Sequence, residues 1–450
     1  MKQHITLKSI QGLYGKMDKI PETWEFLILD SLTPLGDKTA IKMGPFGSDL
    51  KKQELLNEGE IKTLWIENIV QNKLNLDYKK FITKVKYQEL KNFTVKENDI
   101  VLSMMGTVGR VAIIPNDIGT AIITSHLLKI TLDQKRCFPV FLHYYFLSEI
   151  ARNQLNRESR GLVMQGLNTG IIKSLKIALP SLKEQQKIAS ILSKVDELIL
   201  KTDQIIEQTQ RLKKGLMQKL LTKGIRHTKF KRVNLGINFL NYNIPLEWKF
   251  FNLGNIASVH GRIGWKGLKR EEYTETGPLM LSVWSLIDND PYGVDYTAGV
   301  NRLSRFRYDE SPEIKLQNGD VLLAKDGDIG KIGYIKDLPE PSTVNSHIVV
   351  VRTRSNEIDS EFLYWYMNAH PFQSYCKSLT SGTTVPLLSQ SNIRKAKIPV
   401  PSLKEQKIIC SVLYTFSNII YKNKIYKNKI KDLKKGLMQQ LLTGKIRVKV

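Results

Sequence analysis

Apolar residues recur along two stretches of this chain at intervals of three and four. Ile188, Ile191, Val195, Leu198, Thr202, Ile205, Thr209, Leu212 and Leu216 form one series. Ile409, Val412, Phe416, Ile419, Asn423, Tyr426, Ile430, Leu433 and Leu437 form the other. A 3.5-residue period predicts two long helices, each with an apolar seam that calls for a partner helix. At 1.5 Å per residue, roughly 40 residues give about 60 Å of helix, and an exposed seam of that length would not persist in water. The nearest partner of either helix is the other, so the pattern predicts an antiparallel coiled coil made within the chain. Thr202 and Asn423 fall at equivalent mid-seam positions, where a polar residue sets register. The plainer alternative is two separate amphipathic helices, each lying on its own domain.

The two stretches are copies. Pro180-Ser181-Leu182-Lys183-Glu184-Gln185 opens the first helix and returns as Pro401-Ser402-Leu403-Lys404-Glu405-Gln406, 221 residues later. The helix ends repeat as well, with Leu212-Lys213-Lys214-Gly215-Leu216-Met217-Gln218 matching Leu433-Lys434-Lys435-Gly436-Leu437-Met438-Gln439. The repeat extends into the regions before each helix. Strand-like Ile100-Val101-Leu102-Ser103, then Gly106-Thr107-Val108-Gly109, pair with Val321-Leu322-Leu323-Ala324 and Gly327-Asp328-Ile329-Gly330. Ser125-His126 answers Ser346-His347, and Pro21 to Trp24 answers Pro245 to Trp248. A repeat of this kind decides the architecture before any local assignment. The expectation is an α+β chain of two tandem globular domains, each followed by a long α-helix, with an internal pseudo-twofold repeat. The expected boundaries are an N-terminal segment 1–20, a first domain 21–179, helix 180–222, linker 223–244, a second domain 245–400, helix 401–444 and tail 445–450. Residues 36–95 and 254–315 share almost nothing, so one scaffold presents two different variable faces.

Composition adds a partner class. The chain has 450 residues, 42% of them apolar, and a net charge of +25, a footprint suited to a polyanion. No 18-residue apolar run and no signal-peptide pattern are evident, which predicts a cytoplasmic protein without membrane contact. Cys137, Cys376 and Cys410 are far apart and odd in number, so they read as small hydrophobes, neither a disulfide framework nor a metal site.

The repeated helix openings, the Gly-Leu-Met-Gln-x-Leu-Leu-Thr helix ends and the paired Gly-x-x-Gly turns resemble the specificity subunit of type I restriction–modification enzymes. So do Gly44-Pro45-Phe46-Gly47-Ser48 and the glycine-rich stretch Gly261 to Leu268. The resemblance spans about Pro21 to Arg447. It implies two target recognition domains that each read half of a split, asymmetric DNA site. It also implies a helical spacer docking two modification (methyltransferase) subunits, with restriction/translocase subunits joining them. The family's chain is non-catalytic: S-adenosylmethionine, ATP and Mg are expected on partner subunits, none on this chain.

Catalytic motifs are correspondingly sparse. Asp290-Pro291-Tyr292 lacks the second proline of an amino-methyltransferase motif, Gly327 to Ile332 lacks the Gly-Lys-Ser/Thr ending of a phosphate loop, and no histidine pair has metal-ligand spacing. Candidate DNA contacts are basic and polar loop residues, since Arg and Lys suit phosphates and guanine edges, and Asn and Gln suit adenine. In the first half these are Lys42, Ser48, Lys51, Lys52, Arg110, Arg160, Gln165 and Asn168. In the second they are Arg262, Lys266, Lys269, Arg270, Lys325, Lys331, Thr383, Thr384 and Asn392. For each, the plain alternative is a solvated surface side chain; Phe46, Trp265 and the Ser-His pairs read as framework. The Lys-rich run Lys422 to Lys431 faces phosphates, an acidic partner patch, or only solvent. A different class of protein, a scaffold or RNA-binding coiled-coil protein with duplicated interaction domains, is the competing reading.

Overall fold

Both long helices are present in the computed structural model, which describes residues 6–11, 17–105, 109–158, 167–234, 241–262, 270–287, 291–380 and 387–449. They run Leu182–Lys223 (42 residues) and Leu403–Leu441 (39 residues). The fold is α+β and divides into two units: Met1–Leu200 with Lys429–Val450, and Lys201–Asn428. Each unit therefore holds one globular half, the beginning of the helix that follows it and the end of the other helix. Among the described residues no helix is long and apolar enough to cross a membrane.

The two globular halves have one topology. In the first unit a four-stranded antiparallel sheet has the spatial order Val111–Ile113, Ile100–Ser103, Leu127–Ile130, Ile41–Met43. The second unit repeats the order as Ile332–Tyr334, Val321–Ala324, Ile348–Thr353, Ala257–Gly261. A three-stranded sheet accompanies each, built round the parallel pairs Ala121–Ile123 with Ile61–Leu64 and Ser342–Val344 with Tyr273–Leu281. The central strands Ile100–Ser103 and Val321–Ala324 are buried along their whole length, which is why they read as continuous apolar runs without alternation. The expected N-terminal segment and linker are not plain connectors. Leu7–Gln11 pairs with Met17–Pro21 and Phe230–Asn234 with Asn241–Pro245, so the repeat begins with a hairpin on each side. Few apolar residues mark these hairpins, which left them illegible to a pattern of burial.

The repeated Pro-Ser-Leu-Lys-Glu-Gln text is explained by its contacts. Ser181 Oγ accepts from Glu184 N (3.4 Å) and Ser402 Oγ from Glu405 N (3.3 Å), capping the orphan N–H groups of each helix start. The glutamate then turns inward. Glu184, 1% exposed, accepts from Trp24 Nε1 (3.2 Å) and from both arms of Arg447 (2.6 and 2.8 Å). In the second unit Glu405 accepts from Trp248 Nε1 (3.2 Å) and Ile225 N (2.8 Å), and contacts His227 Nε2 at 3.0 Å. The following glutamines are buried too. Gln185 bridges Phe138 N, Arg136 O and Pro180 O, as Gln406 bridges Asp359 N, Glu357 O and Pro401 O. One carboxylate thus ties the tryptophan in the turn after a unit's hairpin, its own helix and the chain just beyond the other helix. Gly444 (φ +71°) permits that approach, since a Cβ there would lie 2.4 Å from Pro21.

Within each unit the two helices run antiparallel. In the first, Glu184 meets Arg447 and Asp196 meets Lys434 (2.6 Å); in the second, Asp203 pairs with Lys427 and Glu405 meets Ile225. The seam differs from the expected one at alternate positions. Ile188, Thr202, Ile409 and Ile430 are buried, and Ile191, Val195, Leu216, Val412, Phe416, Asn423 and Leu437 are half-buried. Leu198, Ile205, Leu212, Ile419, Tyr426 and Leu433 are exposed; the buried or half-buried neighbours are Leu192, Ile199, Ile206 and Lys213, with Leu413, Ile420, Lys427 and Lys434 opposite. The step runs four then three, not three then four. Doublets such as Leu198-Ile199 and Ile205-Ile206 fit either order, and the ion pairs Asp196–Lys434 and Asp203–Lys427 select one. Asn423 Nδ2 donates to Ile419 O within its own helix (2.8 Å), so it makes a local contact at that point.

The first unit holds a half-buried polar knot where its helices meet. Tyr144 Oη donates to Asp196 (2.7 Å), Lys434 pairs with the same carboxylate, and His143 lies beside them. Burial, then the nearby Lys434 ammonium, lowers the His143 pKa to about 4. Two outcomes are expected. Glu184→Gln leaves Arg447 without its countercharge and should lower the first unit's stability by about 3 kcal/mol, read as faster hydrogen exchange around Trp24 with little change around Trp248. The unfolded chain takes up a proton at residue 143 near the ordinary value of 6.5, whereas the folded ring stays neutral down to about 4. Acidification through that window therefore favours unfolding, on the order of 3 kcal/mol. His143→Tyr, which installs the residue found at the equivalent position 364, should flatten the acid limb of a urea-midpoint profile.

Candidate nucleic-acid interface

Strand direction gathers the loops at one end of each four-stranded sheet. The chain leaves Ile41–Met43 and Ile100–Ser103 there, and enters Val111–Ile113 and Leu127–Ile130 there. A short backbone ladder ties these loops to the segment before helix Thr169–Lys173: Met104 N donates to His126 O (2.9 Å) and Leu167 N to Met104 O (3.3 Å). The second unit has the same ladder, Lys325 N to His347 O (2.9 Å) and Leu388 N to Lys325 O (2.8 Å). Gly44 belongs to this framework because a Cβ on it would sit 2.1 Å from the Thr124 carbonyl oxygen.

This end of the sheet brings Arg262, Lys325 and Lys331 together in the second unit, and Ser48 and Arg110 with the Gly44–Ser48 stretch in the first. Arg262 is 6% exposed, and two of its guanidinium nitrogens have no partner among the described residues. Burial and the neighbouring Arg307 lower its pKa, as expected of a cation confined near another cation. Lys331 pairs with Asp328 (2.7 Å), while His347 pairs with Asp326. Burial, with Arg354 and Arg394 nearby, also lowers the pKa of His260 on the adjoining strand.

Other expected contacts serve the fold. Arg110 Nη1 donates to Ile69 O (3.2 Å), and Lys42 lies within its strand with its ammonium 4.5 Å from the Phe93 ring centroid. Asn168 caps Thr169–Lys173 by accepting from Ile171 N (2.9 Å), the role of Ser389 in the other unit; Asn392 lies inside that second helix, its carbonyl accepting from Tyr375 Oη. Ser48, Lys51 and Lys52 are exposed. Arg160, Gln165, Lys266, Lys269, Thr383 and Thr384 lie outside the described residues, as does the side chain of Arg270. Sequence reasoning missed two aromatics: Trp284 and Phe306 are each 77% exposed, within the stretch whose sequence differs from the first half's. Their signal was an aromatic residue in a non-repeated segment. Phe46, read as framework, is 51% exposed. All three cysteines are free and buried, and no group of three metal-binding side chains occurs among the described residues.

Two copies of one framework, each carrying a different set of cationic and aromatic side chains on the same sheet end, define a duplicated recognition protein. The profile of the type I restriction modification DNA specificity domain matches residues 21–211 and again 245–432. This chain belongs to that family and holds two of its domains in tandem. It is 31% identical over 364 residues to the type I restriction enzyme MjaVIII specificity subunit of Methanocaldococcus jannaschii, covering 80% of this chain and 81% of that one. It is 23% identical over 426 residues to the StySPI specificity subunit of Salmonella potsdam, covering 90% and 85%. Among solved structures, the S subunit of a type I system from M. genitalium has the same fold, with a TM-score of 0.54 at 18% identity over 93% of this chain and 96% of that one.

The sheet-end residues can be sorted by their salt response. In duplex binding, Lys325→Ala should reduce the slope of log affinity against log salt by about 1. Trp284→Ala should weaken duplex binding while leaving that slope unchanged, as measured by fluorescence anisotropy over a salt series.

Proposed function

We propose that this chain selects a bipartite, asymmetric DNA site, the first unit's globular half reading one half-site and the second unit's the other. The long helices set the gap between half-sites and dock two copies of a methyltransferase subunit. Restriction/translocase subunits join that assembly, and methylation and cleavage belong to the partners, which bring S-adenosylmethionine, ATP and Mg. The observation that carries this reading is the pairing of identical strand order with unlike variable stretches, 36–95 and 254–315. One scaffold duplicated to bind one ligand twice would have no reason to diverge there alone.

Physical requirements point the same way. Half-sites one helical turn apart lie about 34–36 Å from centre to centre, and two readers must keep a fixed distance and rotation to use both. Continuous helices of 42 and 39 residues, about 60 Å each, meet that requirement where a flexible linker would not. Two like partners need two like surfaces, and the helix ends, with ten of twelve positions identical between 211–222 and 432–443, supply them. The exposed lysines Lys422 and Lys429 suit phosphates between the half-sites.

The test exchanges residues 21–179 for the first recognition domain of another family member and maps methylated sites made with the cognate methyltransferase. One half-site should change and the other stay. An equal lengthening of both helices should widen the gap and leave both half-sites' letters intact. Sites unaltered by the exchange would overturn the assignment.

A further inference from the structure

The two units act as controls for each other: what both carry suits a partner bound twice, and what one carries alone suits a partner bound once. A hollow of about 820 Å³ in the first unit is of the second kind. It lies between the N-terminal hairpin, the start of helix Glu149–Glu158 and the last turns of the second long helix. Lys19, Arg152, Lys431, Lys434, Lys435 and Lys445 line it. Lys434 is paired with Asp196 and Lys435 with Glu149 (3.2 Å). The other four cations make no ion pair among the described residues, and all four are exposed. At equivalent positions the second unit has Asn243 for Lys19, Gln373 for Arg152 and Gln210 for Lys431. Gln373 turns into its own fold, donating to Gly330 O (2.9 Å) and Met367 O (2.8 Å).

We propose that this hollow docks an acidic, leucine-bearing peptide segment of a partner protein, one copy per chain. Leu7, Leu147, Ile150 and Met438 also line it, so carboxylates on the ligand meet the lysines while apolar side chains fill the floor. A phosphate group would gain nothing from that floor. Among the described residues no aromatic side chain lines the hollow, so those residues offer no stacking platform for nucleobases. Mutually repelling cations gathered over an apolar concavity are relieved by a ligand that carries both complements. The divergence at Asn243, Gln373 and Gln210 limits the site to the first unit.

The probe is a fluorescein-labelled peptide of five helical turns, about 18 residues, with leucines at helical spacing and glutamates elsewhere, titrated against the full chain. It should bind with a stoichiometry of one. The triple change Lys19→Asn, Arg152→Gln, Lys431→Gln installs the other unit's residues and should weaken binding by about tenfold with an unchanged melting profile. Leu7→Ser should weaken the leucine–glutamate peptide but not polyglutamate of the same length. Should the triple variant melt early, Arg152→Gln alone carries the same comparison, since its side chain is exposed. Unaltered affinity in these variants, a stoichiometry of two, polyglutamate binding as tightly as the peptide, or displacement by a short DNA duplex would each overturn the proposal.

Discussion

One carboxylate per unit, at the start of a long helix, organises this protein. Glu184 is buried and Glu405 largely withdrawn from solvent, and each is satisfied by groups brought from elsewhere in the chain. The donors come from the tryptophan that begins the globular half and from the segment just past the end of the other long helix. That requirement fixes more than a local contact. It makes each unit a composite of distant stretches, and it holds the end of one helix beside the beginning of the other within the unit. The antiparallel order of the helices follows from it, with the pairs Asp196–Lys434 and Asp203–Lys427 extending the same alignment.

Given that closure, the globular halves are free to differ. The strand order, the backbone ladder through residues 104, 126 and 167 or 325, 347 and 388, and the capped helix after it recur in both. What differs stands on that framework: a buried Arg262 and exposed Trp284 in one unit, exposed Lys51 and Lys52 in the other. A scaffold whose stability comes from repeated corners tolerates substitution at the sheet end, because little of the core depends on it.

Much of this was legible in the sequence because it was written twice. A motif that returns at a constant offset needs no propensity argument, so the two halves, the long helices and their pairing could be read directly. The seam was half legible. Positions 188, 195 and 202 carry one half of the stripe, but apolar doublets at 198–199 and 205–206 leave the other half ambiguous until the cross-helix charges are known. The capping role of Asn168 was not legible because an N-cap and a base contact ask for the same side chain. Trp284 carried only the signal of an aromatic residue in a divergent segment, because its exposure depends on tertiary packing, not on its neighbours in sequence.

The most direct measurement of the central claim is a map of modified bases in DNA from cells expressing this chain with its methyltransferase partner. Two unlike half-sites separated by a constant gap are predicted, one half for each globular domain. A continuous motif, or two identical half-sites, would contradict the account.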